Sequence, residues 1–263
     1  MTFSICIILF HNFAEISSNL NNMDWNETLT QKIMAMSEAE FDYIETKDIN
    51  KANNIDYGVS GVYMECTLIY FKYRNLTYIL KENGRRKMAQ AYTMYKEIVT
   101  ALVEREGGFV NCYSPEALLI VFPGKEETLK PAVRTALEIV HALSETYKNQ
   151  FNEIKGIEFS MGLDHGHIMG TKNTSDIGFN HLSWFGLCIH KAMRISEECA
   201  RPFYVGISGN IYHSLPEDFR VVQRRVLGLK KNVELWTKVT YQYDNVKKHL
   251  YQTNHKINPF EEK

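Results

Sequence analysis

The position of Lys72 inside an apolar stretch constrains this chain more than any other feature. Residues 67–77 are mostly β-branched, aromatic or aliphatic, and Lys72 lies in the middle of them. This composition is typical of a strand that is buried on both faces. Because a buried ammonium group needs a compensating charge or hydrogen-bond acceptors, we expect Lys72 to have an acidic partner.

A second segment supplies a candidate for that partner. Residues 106–122 contain Gly107 and Gly108 near their start, Pro115 and Glu116 in the middle, and an apolar run at the end. The pattern predicts two strands joined by a tight turn, with Glu116 at the turn. We therefore predict an ion pair between Lys72 and Glu116, with the ammonium nitrogen within about 4 Å of the carboxylate.

The remaining periodicity predicts an α+β fold. Residues 87–104 and 133–143 carry apolar side chains at helical spacing, with Gly107 ending the first helix and Pro131 near the start of the second. The predicted order is strand, helix, hairpin, helix, strand, helix, strand, which gives a ferredoxin-like βαββαβ centre with helices packed on the sheet.

Residues 159–170 predict a further strand interrupted by glycines, and residues 183–195 lead into a helix. Asp164, His165 and His167 raise the alternative of a metal site, because alternate residues of a strand share one face. The glycines on either side instead favour a turn at which the two histidines are turn or interface residues.

Composition is consistent with one large core and a cytoplasmic protein. The chain has 263 residues, 44% of them hydrophobic, and a formal net charge of −1, which does not favour a general nucleic-acid or membrane-surface binder. Its five cysteines are scattered without a Cys-x-x-Cys spacing, so the sequence indicates neither a disulfide framework nor a zinc site.

We divide the chain into four parts. The apolar run in residues 1–22 is too short to span a bilayer. If translation starts at Met23, residues 1–22 are a mis-annotated or disordered extension. Residues 23–55 form an N-terminal helical segment, with a helix predicted from Asp24 to Met36. Residues 56–239 form the main domain, and residues 240–263 are predicted to be a polar, mobile tail.

The four segments 67–77, 106–122, 159–170 and 183–195, in that order and spacing, resemble the class III nucleotidyl cyclases. The resemblance covers roughly residues 56–216. Within the class, the stretches 74–75, 182–186 and 204–212 look most like the Pycsar pyrimidine cyclases, which make cyclic UMP or cyclic CMP in bacterial defence against phage.

The resemblance implies a two-metal site that this sequence has altered. Cyclases of this class hold two Mg²⁺ or Mn²⁺ ions with a pair of aspartates, and Lys72 and Glu116 occupy those two positions here. An ammonium group repels a cation that an aspartate would attract, so Lys72 argues against two-metal chemistry. Glu116 keeps one carboxylate, although Pro115 replaces the family's flexible glycine.

The resemblance also implies residues for the substrate. His190 and Arg194 stand where the family has an asparagine and an arginine four residues apart on one helix face, directed at the ribose and phosphates. Glu158 and Ser183 stand where heterodimeric adenylyl cyclases read adenine, and neither favours adenine. Arg74 and Trp184 are further candidates for substrate binding, and Trp184 is alternatively an aromatic residue of the core.

Two functions follow from these expectations. In the first, the chain is a catalytically impaired homologue that forms a homodimer or acts as the metal-poor partner of an intact cyclase, because class III sites combine residues of two chains. In the second, it is an active pyrimidine cyclase that converts UTP or CTP to cyclic UMP or cyclic CMP with Mn²⁺ or Mg²⁺. The first requires no metal cofactor.

Overall fold

The computed structural model describes residues 25–114, 116–151, 158–172, 182–199, 202–226 and 229–261. The predicted extension 1–22 and Pro115 lie outside these ranges. The α-helices are α1 (Trp25–Glu38), α2 (Leu76–Arg105), α3 (Leu129–His141), α4 (Lys148–Phe151), α5 (Leu187–Glu198) and α6 (Gly209–Ser214). The strands are β1 (Asp42–Glu45), β2 (Ser60–Arg74), β3 (Phe109–Ser114), β4 (Ala117–Pro123), β5 (Glu158–Lys172), β6 (Leu182–Phe185), β7 (Val205–Ser208), β8 (Val221–Val226), β9 (Leu229–Glu234), β10 (Thr237–Tyr243) and β11 (Val246–Thr253).

The strands form one large mixed sheet in the order β10-β11-β7-β5-β2-β4-β3, with β1 beside β2 and β6 beside β5. Strands β8 and β9 form a separate hairpin. The elements β2-α2-β3-β4-α3-β5 have the ferredoxin-like connectivity, and their strands lie in the order β5-β2-β4-β3. The predicted α+β fold is confirmed.

The two faces of β2 are covered by different helices. Ile69, Phe71 and Tyr73 pack in the core cluster that contains residues of α2 and α3, whereas Leu68 and Tyr70 pack in the cluster that contains residues of α5. Because side chains alternate along a strand, Lys72 belongs to the second set and points to the α5 face. This alternation decides which acidic residue can reach it.

Helices lie near the predicted positions, with some differences at their ends. The helix predicted over 87–104 is the later part of α2, which begins at Leu76 and kinks at Gly84. Helix α1 covers most of the predicted N-terminal helix, but the segment 23–55 also contributes β1, which pairs in parallel with β2. None of the helices in the described ranges is long and apolar enough to cross a bilayer.

The prediction of a polar, mobile tail over 240–263 is wrong. Strand β10 crosses the predicted boundary at residue 239, and β11 lies between β10 and β7 in the main sheet. Asp244 and Asn245 both have positive φ and join the two strands as a tight hairpin turn. The segment looked polar because few of its side chains, such as those of Tyr241 and Leu250, are buried.

Leu250 offers a test of this hairpin. Its side chain is fully buried against Ile195 and Tyr241, so Leu250→Ala is expected to lower the free energy of unfolding by about 2–5 kcal/mol. Val246 lies on the same strand and is 53% exposed, so Val246→Ala should change it by less than about 0.5 kcal/mol. Urea denaturation measures both, and equal small effects would show that β11 does not pack as described.

Candidate functional site

The end of β2 and the start of α2 form a cleft of about 810 Å³. Its walls come from the β2–α2 junction, the β3–β4 turn and the C-terminal end of α5. The charged groups that line it are Lys72, Arg74, Lys81, Glu116 and Glu197. The cleft therefore gathers several of the residues that the sequence pattern singled out, together with two that it did not, Lys81 and Glu197.

The backbone at Asn75 makes the junction sharp. Asn75 has the left-handed conformation, with φ 57° and ψ 32°, which asparagine tolerates better than most residues. Its side chain makes no capping hydrogen bond to α2. Leu76, Thr77 and Tyr78, the first turn of α2, line the cleft, so the cleft faces the positive end of the helix dipole. Such an end favours an anion.

Lys72 pairs with Glu197 of α5 and not with Glu116, so the predicted ion pair is wrong. The Lys72 Nζ lies 3.0 Å from Glu197 Oε1, with 29% and 35% of the two side chains exposed. The reason is the alternation of β2, which points Lys72 toward α5. Glu116 is held at the same end of β2 through its carbonyl oxygen, which accepts a 2.9 Å hydrogen bond from the Tyr73 amide.

Arg74 holds the C-terminal end of α5. Its Nε donates to Ser160 Oγ at 2.9 Å, and its Nη2 donates to the carbonyl oxygens of Ser196, at 2.7 Å, and of Cys199. These bonds satisfy carbonyl groups that the helix end leaves without an intrahelical partner. Burial raises the pKa of the Cys199 thiol to about 12, against a smaller opposing effect of Arg74. The guanidinium is therefore committed to α5.

Arg194 lies one turn before Glu197 and shares that residue with Lys72. Its Nη1 is 3.5 Å from Glu197 Oε2, and its Nη2 is 2.7 Å from Glu198 Oε1. His190 is exposed one turn earlier on the same helix face. Glu197 thus bridges Lys72 and Arg194. The one sequence signal for the Arg194–Glu197 pair is its spacing, because an acidic residue three positions after an arginine lies on the same helix face.

The other predicted substrate residues do not come together within the chain. Glu158 and Ser183 mark opposite ends of the 15-residue strand β5, since Glu158 pairs with Arg74 and Ser183 pairs with Thr171. An extended strand of this length separates them by about 40 Å. Within one chain, the two residues cannot read the same base.

Trp184 takes the core alternative. It is buried, it lies over Gly170, and its ring centroid is 6.1 Å from that of Phe109. A Cβ at Gly170 would lie 2.6 Å from the Trp184 ring, so the glycine provides the space in which the indole packs. The contacts of Trp184 are those of a core residue.

The groups in the cleft do not suit a pair of divalent ions. Lys72 offers only donors, and the Glu197 carboxylate beside it is already engaged by two cationic side chains. Among the residues that the structure describes, Glu116 is the one other acidic residue that lines the cleft. In the described ranges, no three His, Cys, Asp or Glu side chains are grouped so that they could hold a metal ion.

The alternative metal site at Asp164, His165 and His167 is not formed either. These residues lie inside the continuous strand β5, not at a turn. His165 Nε2 lies 3.2 Å from Glu65 Oε1, and His167 Nε2 lies 3.9 Å from Glu65 Oε2, across the neighbouring strand. Asp164 points to the opposite face of the sheet.

Comparison with solved structures identifies the fold. The guanylyl cyclase Cya2 superposes with a TM-score of 0.60 at 14% sequence identity, over 76% of this chain and 96% of that one. The adenylyl cyclase CyaB from P. aeruginosa gives 0.54 at 14%, over 72% and 93%. The guanylate cyclase domain of RhGC from Catenaria anguillulae, in complex with GTP, gives 0.55 at 15%, over 74% and 98%.

The chain has the class III nucleotidyl cyclase fold. No protein-family model matches the sequence, and no curated protein matches it. Because both adenylyl and guanylyl cyclases superpose on it at similar scores, the fold does not indicate which nucleotide base a chain of this kind would recognise. It is consistent with the resemblance of the four sequence segments, two of which end at the cleft through Lys72 and Glu116.

Proposed function

We propose that this chain is a nucleotidyl cyclase homologue that binds the phosphates of a nucleoside triphosphate in the cleft but does not cyclise the nucleotide by itself. The observation that carries the proposal is the Lys72–Glu197 ion pair. It stands at the position where the resemblance implies a metal-binding aspartate, and it offers ammonium donors in place of metal ligands.

The cleft supports phosphate binding without a metal. The first turn of α2 presents the positive end of the helix, and Lys72 and Lys81 add two ammonium groups. A solved relative, the Catenaria domain, was obtained in complex with GTP. Phosphates in the cleft would compete with Glu197 for Lys72, because both are anions and the ion pair is partly exposed to solvent.

Cyclisation makes larger demands than binding. The ribose 3′-hydroxyl must attack the α-phosphate while pyrophosphate leaves, and charge on both oxygens must be stabilised at once. In class III cyclases two divalent ions supply this stabilisation. Lys72 would stabilise phosphate charge, but it would not lower the pKa of the attacking hydroxyl as a bound ion does.

The asymmetry of the retained residues gives the chain a role beside an intact cyclase. Arg194 and His190 lie on the helix face that points to the substrate in the class III cyclases, whereas Lys72 stands in place of a metal ligand. In a dimer whose partner supplies two aspartates, this chain would contribute Arg194 and the partner would hold the ions. We place this role in pyrimidine-nucleotide signalling of the Pycsar type, on the resemblance of residues 74–75, 182–186 and 204–212.

The second candidate is an active pyrimidine cyclase that makes cyclic UMP or cyclic CMP. The specific observation that favours it is Glu116, an acidic residue that lines the cleft beside the end of β2. A single carboxylate together with the phosphates of the substrate can bind one Mn²⁺ ion.

Product formation by the purified chain distinguishes the two candidates. We would incubate the wild type and the double variant Lys72→Asp with Glu116→Asp with UTP, CTP, ATP or GTP and Mn²⁺, and detect cyclic nucleotides by mass spectrometry. We expect no product from the wild type and product from the double variant. The control is Lys47→Asp with Glu127→Asp, which alters an exposed ion pair outside the cleft. Cyclic product from the wild type would establish the second candidate.

A further inference from the structure

A second cavity lies where the central sheet has a gap. Strand β7 is only four residues long and ends at Ser208, whereas its neighbours β5 and β11 both continue past that point. Leu163 pairs with Ile207, so Asp164 is the first β5 residue beyond the pairing, and Leu250 pairs with Ser208, so His249 and Lys248 extend past it on β11. A cavity of about 290 Å³ fills this gap.

The charged lining of the gap is mostly basic. Lys191 comes from α5, Lys238 from β10, and Lys248 from β11. With Asp164, these lysines give the cavity a formal charge of +2, and two histidines, His213 and His249, add to it when protonated. None of these residues lines the cleft at the β2–α2 junction, so the two sites are separate.

Asp164 is a buried carboxylate with one unsatisfied oxygen. Its side chain is 1% exposed, and its Oδ2 has no hydrogen-bond partner among the described residues. The nearest cation, Lys191 Nζ, lies 3.8 Å away, which is beyond hydrogen-bond distance. Burial raises the pKa of Asp164, while a hydrogen bond from Ser208 and the charge of Lys191 oppose the rise. An unpaired buried oxygen is costly and calls for a donor.

The lining therefore suits a ligand that has an anionic group at one end and a hydroxyl group at the other. Lys248 and Asp164 point to the face of the sheet that helix α5 and its Lys191 cover, whereas Lys238 points to the other face. An anionic group suits Lys191 and Lys248, and a hydroxyl group suits Asp164 Oδ2. The volume of this cavity lies just below the roughly 300–1,000 Å³ of pockets that hold drug-sized ligands. The cavity is therefore too small for a nucleoside triphosphate. A short phosphorylated polyol carries both groups at this size.

We propose that the gap beyond β7 binds a small phosphomonoester that also carries a hydroxyl group. The phosphate lies against Lys248, whose side chain is exposed at the mouth of the cavity, and the hydroxyl donates to Asp164 inside. Lys191, whose Nζ is 3.8 Å from Asp164 Oδ2, supplies the second cation for the phosphate. This ligand site does not depend on the function proposed for the cleft.

The test compares three probes on the full chain by isothermal titration calorimetry: glycerol 3-phosphate, inorganic phosphate and glycerol. We expect glycerol 3-phosphate to bind at least ten-fold more tightly than either of the others. Lys191→Ala with Lys248→Ala should weaken its binding at least ten-fold, whereas Lys247→Ala, on the same strand as Lys248 but outside the cavity lining, should leave it unchanged.

Asp164→Ala tests the hydroxyl end separately. We expect this variant to bind glycerol 3-phosphate no more tightly than inorganic phosphate, because the side-chain acceptor is lost while the lysines remain. Circular dichroism checks that each variant is folded, and phosphate binding by Asp164→Ala shows that its cavity is intact. Failure of the wild type to bind glycerol 3-phosphate, or equal affinity of the wild type for both phosphates, would overturn the proposal.

Discussion

Removing the Lys72 ammonium group is expected to weaken UTP binding roughly 10- to 100-fold in the presence of EDTA, whereas Glu197→Gln is expected to strengthen it. A hydrogen bond to a charged group contributes about 1.5–3 kcal/mol, which corresponds to that range. Glu197 occupies Lys72 at 3.0 Å and Arg194 at 3.5 Å, so a neutral glutamine frees both cations and removes a charge that repels phosphate.

The measurement is an equilibrium titration of Lys72→Ala and Glu197→Gln with UTP, with EDTA present so that no divalent ion takes part. Lys47→Ala is the matched control, because Lys47 also forms an ion pair with a glutamate, at 2.8 Å, but lies outside the cleft. If Lys72→Ala binds UTP as tightly as the wild type, the phosphates do not lie in the cleft and the proposed function is wrong.

Gly162→Ala is expected to destabilise the protein by about 3 kcal/mol, the upper part of the usual range for overpacking. A Cβ at Gly162 would lie 2.0 Å from the Ala192 carbonyl oxygen and 2.5 Å from the Ser196 amide nitrogen. Both atoms belong to the backbone of α5, so the helix must move away from β5.

Gly209→Ala provides the control for this prediction. The nearest atom to an added Cβ at Gly209 is the His249 carbonyl oxygen at 3.7 Å, an ordinary contact. We expect its free energy of unfolding to stay within about 0.5 kcal/mol of the wild type in urea denaturation. A Gly162→Ala variant as stable as Gly209→Ala would show that α5 does not pack this closely on β5.

The central strands and helices could be predicted because each has a pattern within its own short stretch of sequence. The apolar run around Lys72, the Gly107-Gly108 break and the helical spacing after Lys87 each reflect a few neighbouring residues. The partner of Lys72 could not be predicted in this way, because Glu197 is 125 residues away and its approach depends on how α5 crosses the sheet.

The C-terminal hairpin was missed for a different reason. Its alternation of buried and exposed residues is weak, and the charged residues Lys247 and Lys248 mask Leu250. Asp244-Asn245 was the available signal, because two such residues in succession favour a tight hairpin turn. The hydrogen bonds from Arg74 to the end of α5 could not be predicted from the sequence, because their acceptors are backbone carbonyl groups, which every residue has.

The position of β11 between β7 and β10 has a consequence for synthesis of the chain. During translation, β7 is made well before β11, so its outer edge has no partner until residues up to Thr253 have left the ribosome. An unpaired edge next to an unfinished core is a template for wrong pairing with another nascent chain. Slow translation between Ser208 and Val246 would prolong that exposure and raise the demand for chaperones.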